Sequence, residues 1–233
     1  MKKSLWTKDI VLTALAAALL SAGKQALAAI PNVEVVTLLI MLYAACFKPQ
    51  IAFIATGVFI VIECFIWGIH TWVLAYIIHW NFVAFATFLL ARIFKFKNKF
   101  IYFGFTIFVT TAFGVLTTAI DAFFTVARVN VAFGYAFSVI YMRGIYFYIV
   151  HVVGNAAFNI VLFSPMRSLL DRLMVKYYGR DVFLREDDAA VKLKEQAAEK
   201  EVVPSAELTA YHQSDKIDPS VDAQGGPKGE SRK

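Results

Sequence analysis

The sequence predicts an all-α membrane protein, a bundle of six transmembrane helices with both termini cytoplasmic. Three observations predict it. First, 59% of the 233 residues are hydrophobic, whereas a soluble domain runs nearer half. Those residues fill the first three quarters of the chain and stop near Tyr178. Second, the apolar stretch divides into six runs, each near the length that crosses about 30 Å of hydrocarbon. Third, Lys and Arg gather at the ends of those runs, so the net charge of +6 reads as a topology signature and not as a nucleic-acid surface. Two units follow: a six-helix transmembrane domain over residues 1–178 and a polar, largely disordered cytoplasmic tail over 179–233.

The first span covers about residues 9–30 and is ended by Pro31. Lys2, Lys3 and Lys8 before it, and Ala26-Leu27-Ala28 near its end, resemble a cleavable signal peptide. The run is long, however, and cleavage would leave an odd number of spans, so it reads as a retained helix. The second span, about 33–47, is short and stops at Lys48-Pro49. The third is 50–69, the fourth 72–93 and the fifth 100–127. The sixth, 142–165, is ended by Ser164-Pro165, and residues 128–141 connect it to the fifth.

Charge orients this layout. One side carries Lys2, Lys3, Lys8, Lys48, Arg92, Lys95, Lys97, Lys99, Arg167, Arg172, Lys176 and Arg180. The other carries mainly Arg128, with Lys24 and Arg143 just below. By the positive-inside rule the first side is cytoplasmic. The tail is rich in Glu, Lys, Asp, Ala and Ser, and its "DAQGGPKGESRK" ending has the composition of a disordered segment. Cys46 and Cys64 lie in separate apolar runs, which argues against a disulfide, and no Cys/His spacing points to a metal.

The buried polar residues then fall into a pattern. Lys24, Glu34, Glu63, His79, Asn81, Asp121, His151 and Asn155 all lie in the outer halves of their spans. Ionisable groups at that depth are costly unless they face a cavity or a partner. Helical spacing lets them converge: Glu63, Trp67 and His70 share a stripe, as do Trp72, Tyr76, His79 and Trp80. So do Gly114, Thr117, Thr118 and Asp121, and Tyr148, His151, Asn155 and Asn159. A few directional polar groups among aromatics make a usual small-molecule pocket. Plainer uses stand beside this one. In these, Trp67, Trp72 and Trp80 would be interfacial anchors, Asn155 and Asn159 interhelical hydrogen bonds, Lys24 a snorkelling cation, and Asp121 a partner of Arg128 or Arg143. For Glu63, Lys24 is the one cation that a neighbouring span offers.

On the cytoplasmic half of the first span, Ala14, Ala18 and Ala22 recur every four residues. Such a strip lets another helix approach closely, either within the bundle or from a partner.

The local wording carries a resemblance. "GKQALAAIPNVEVVTLLIMLY", "VIECFIWGI" and "HVVGNAAFNIVLFSP", on six spans with an alanine strip, resemble the substrate-binding S components of energy-coupling factor (ECF) transporters over about residues 9–170. The resemblance implies a multi-pass protein of the bacterial plasma membrane that captures a vitamin or related micronutrient at the outer face. It implies partners too: a transmembrane scaffold protein and two cytoplasmic ATPases, which hydrolyse the ATP. The chain itself carries no Walker motif, so it is expected to be neither an enzyme nor a holder of a cofactor. Ala14 and Ala18, with Ala22, match the family's docking strip. The pocket is assigned to Glu34, Glu63, Trp67, His79, Trp80, Asp121, Tyr146, His151 and Asn155, with Lys24 and Asn32 at its mouth. The long polar tail departs from the family's short ending.

Two rival functions remain. A standalone secondary carrier would use Glu63 or Asp121 as its proton site. A membrane-embedded hydrolase would want a G-x-S nucleophile motif in a span, and none is present.

Overall fold

A computed structural model describes residues 7–94 and 98–178. The described residues form six helices and no strand: α1 (Thr7–Leu27), α2 (Val36–Cys46), α3 (Pro49–Trp67), α4 (Thr71–Phe94), α5 (Lys99–Val129) and α6 (Phe133–Tyr178). All but α2 are long and apolar enough to cross a membrane. The tail assigned to 179–233 lies outside the described residues.

α2 is 11 residues long, about 16 Å at the α-helical rise. Nine of its residues are buried, so it is a central core helix and not a lipid-facing one. A helix apolar on every side suits that place. α1 packs on α3, α2 on α4, and α4 also lies against α3 and α5. α6 meets the bundle through large side chains. Phe163 stacks on Tyr102 with ring centroids 5.1 Å apart, and Tyr148 lies over Gly114.

Three sequence expectations are corrected. The sixth helix does not end at Pro165 but runs through it, for 46 residues. Proline lacks one N–H yet its φ fits a helix, so a single backbone hydrogen bond is lost. At about 70 Å, α6 is more than twice the hydrocarbon thickness. The connection expected over 128–141 shrinks to residues 130–132. Asn130, with φ 47°, closes α5 in the left-handed region, where asparagine is tolerated. His70 leaves the stripe of Glu63 and Trp67, because Gly68 at φ 80° stops α3 and His70 stacks on Trp72 instead.

The end of the bundle that carries the starts of α1 and α3 holds a polar cluster not anticipated from the sequence. Asp9 is buried and pairs with Lys48 at 3.2 Å, joining the starts of α1 and α3. Lys8 Nζ donates to the Tyr177 carbonyl at 2.8 Å. The Tyr177 hydroxyl donates to the Lys8 carbonyl at 3.0 Å. The far end of α6 is thereby fastened to the start of α1.

Candidate functional site

One end of the bundle opens into a cavity of about 520 Å³. The connection 28–35 forms much of its wall, through Ala28, Ile30, Pro31, Asn32, Val33 and Glu34. The helices add Lys24 and Gln25 from α1, Trp67 from α3, Trp72 and Tyr76 from α4, Phe113 and Thr117 from α5, and Tyr148 and His151 from α6.

The connection is shaped by its own sequence. Ile30-Pro31-Asn32-Val33 makes a β-turn closed by Val33 N–H donating to the Ile30 carbonyl at 3.2 Å. Pro31 presets φ at the second position, and Asn32 takes φ 59° at the third, as such a turn requires. The turn presents the Asn32 carbonyl to His151 Nδ1 at 3.3 Å. It also sets Glu34 ahead of α2, in the connection and not in the helix, with 8% of its surface exposed. Irregular backbone near apolar helices is tolerated where it lines a cavity, and this segment does so.

Lys24 anchors one wall. Its ammonium pairs with Glu63, donates to the Tyr76 hydroxyl at 2.9 Å, and lies 4.5 Å and 4.9 Å from the centroids of the Tyr76 and Trp72 rings. Gln25 Nε2 reaches the other Glu63 oxygen at 3.5 Å. Glu63 itself is fully buried and stands behind the wall. Lys24 thus pairs across α1 and α3, and its nearest carboxylate is Glu63 and not Glu34.

Glu34 has no such cation. His151 Nδ1 lies 3.9 Å from its Oε1, beyond hydrogen-bond length. Burial pushes its carboxyl up to about 7, with Lys24 opposing that rise and Glu63 adding to it. His151 Nδ1 also lies 3.3 Å from Asn155 Nδ2, itself a donor. That amide already has an acceptor in the His151 carbonyl, whereas the Asn32 carbonyl can only accept, so the proton belongs on Nδ1 and Nε2 is left as an acceptor. One turn along α6, Asn155 Nδ2 donates to the His151 backbone carbonyl at 2.9 Å.

Below the cavity lies an aromatic layer. Trp80 stacks on Phe113 with centroids 5.8 Å apart. The His79 ring is 4.8 Å from Phe113, and Phe113 is 5.3 Å from His151. Tyr148 seals the side: its hydroxyl bonds Thr118 Oγ1 at 2.7 Å, and its ring fits against Gly114, where an added Cβ would come within 2.9 Å of it.

Of the residues the sequence singled out, Glu34, Trp67, His151, Lys24 and Asn32 line the cavity. Glu63, His79, Trp80 and Asn155 are buried behind them and support them. Asp121, farther along α5, and Tyr146, which is 69% exposed, do not line it. Phe113, Tyr148 and Gln25 are cavity residues that the site assignment left out. Tyr148 and Tyr76 already stood on the polar stripes; Phe113 carried no signal, being one of 22 phenylalanines in an apolar chain. Among the described residues no three His, Cys, Asp or Glu side chains group to hold a metal. The cavity sets flat aromatic faces beside buried polar atoms. No protein-family model, curated protein or solved structure matches the chain.

Proposed function

We propose that the protein is the substrate-binding membrane subunit of an ECF-type importer. It crosses the membrane six times with both termini inside, takes a micronutrient into the cavity from the outer face, and relies on partner ATPases for energy. The observation that carries this reading is the aromatic cavity at one end of an apolar bundle, walled by the connection 28–35. Its size falls in the range of small-molecule sites. A second feature supports it. Ala14, Ala18 and Ala22 are all exposed on α1, so the strip is free to receive a helix from outside the bundle. The pairing of Glu63 with Lys24 weighs against Glu63 as the proton site of a standalone carrier.

Copurification tests the reading. Coexpressed with an ECF scaffold protein and its two ATPases, the tagged chain is expected to isolate as a complex that takes up ligand only with ATP. Uptake by the chain alone in liposomes, without ATP, would overturn it.

A further inference from the structure

Glu34 and His151 share a property that no other cavity-lining residue has. Each holds a buried side-chain atom without a hydrogen-bond partner, Oε1 of Glu34 and Nε2 of His151. Glu34 is 8% exposed and His151 3%. Buried polar atoms are rarely left unpaired unless something else completes them. Nε2 is an acceptor with the proton on Nδ1, and Oε1 is one when Glu34 is ionised, so a donor completes both.

The charges point the same way. Lys24 is the cavity's one lysine, and it is engaged by Glu63, by the Tyr76 hydroxyl and by two aromatic faces. An anionic ligand would have to share Lys24 with a fully buried carboxylate, weakening a pairing whose loss costs several kcal/mol. With Lys24 and Glu63 cancelling and His151 neutral, ionised Glu34 leaves the site with one excess negative charge. The rings of Trp72 and Tyr76 already hold one ammonium, which shows that these walls suit a cation. Phe113 and Trp67 offer flat surfaces beside the acceptors.

We infer that the cavity selects a flat aromatic cation whose N–H groups donate to Glu34 and His151, and that it rejects carboxylates. The inference rests on the binding reading above and adds the charge class of the ligand. Glu34 is the charge-selecting residue, and His151 orients the ring.

Three near-isosteric probes test it: benzamidine, a planar cation with N–H donors; benzamide, its neutral counterpart; and benzoate, the anion. Binding to the purified full chain is read by saturation-transfer NMR and by titration, at millimolar probe. Benzamidine is expected to bind, benzamide to bind at least about tenfold more weakly, as loss of a charged hydrogen bond predicts, and benzoate not at all. Glu34→Gln is expected to bring benzamidine down to the level of benzamide, and a Trp72→Ala chain locates the signal in the cavity by losing it. A circular-dichroism melt unchanged from wild type certifies that Glu34→Gln is folded; should it not be, the ranking of the three probes on the wild-type chain decides alone. Benzoate as the tightest probe, or equal binding of all three, overturns the charge assignment and leaves a small-molecule cavity standing. Binding of none overturns the assignment and the cavity's role together.

Discussion

The contrast between two glutamates decides much of the chemistry. Glu63 is fully buried, and its charge is matched by Lys24. Glu34 is nearly as buried and is not matched. Removing the partner of a buried ion costs more than removing the pair. Lys24→Met is therefore expected to destabilise the protein by about 3–5 kcal/mol, seen as a lower melting temperature in detergent. Adding Glu63→Met to that chain is expected to restore most of the loss. Glu34 sets the pH response. Its carboxyl ionises only near pH 7, so below that value a proton must leave before a cation can pair with it. The groups around it are Lys24 from α1, Glu63 from α3, Tyr76 from α4 and His151 from α6; α5 contributes Phe113 and Thr117, which do not titrate. Benzamidine keeps its charge throughout, so its affinity is expected to fall by about tenfold per pH unit below that point and to level off above it. Glu34→Gln should flatten the profile in isothermal titration. Sequence alone showed that Lys24 was the one cation within reach of Glu63. It could not show that the pair forms, because depth along a helix does not fix which side chains meet across the bundle.

Individual elements were legible to different degrees. α3, α4 and α5 fall within a few residues of the runs read from hydropathy, because lipid demands continuous apolar helix. Pro165 misled, since a proline breaks a helix only when the lost hydrogen bond and ring clash outweigh the packing on either side. The break before Pro31 was legible, because its chemistry is local. The seat of Tyr148 was not, as it depends on α5 and α6 meeting at Gly114. That contact gives a test at this scale. Gly114→Ala is expected to push Tyr148 off Thr118 into the cavity, costing about 1–3 kcal/mol of overpacking and weakening probe binding. Gly57→Ala in α3 is the control: an added Cβ there meets nothing within 4 Å, so melting temperature and binding should hold or improve. Paired thermal melts and titrations read both chains.

Across the described residues, the buried ion pairs are divided between two ends. One end has the cavity; the other has Asp9–Lys48 and the Lys8–Tyr177 clasp. The alanine strip runs along the outside of α1 between them. If it is a docking face, Ala14→Trp is expected to abolish assembly with the scaffold and ATPases while leaving benzamidine affinity within twofold of wild type, roughly the error of such titrations. Loss of probe binding with assembly intact would count against that role. The division was partly visible in the sequence, through the outer placement of the ionisable residues. Asp9 escaped notice because an acid beside Lys8 at the start of a helix is ordinarily solvated there.

α2 has a consequence for how the protein is made. An 11-residue helix is too short to partition into a bilayer by itself, and the connection ahead of it carries Glu34. Nine of its residues touch protein and not lipid. During biosynthesis it has no stable lipid-facing state to wait in. Its burial is completed by α4, and by α3 and α1 beside it, so its place in a bilayer depends on those neighbours. Truncations that end between α2 and α3 should therefore fail to integrate, although the segment is among the most apolar in the chain.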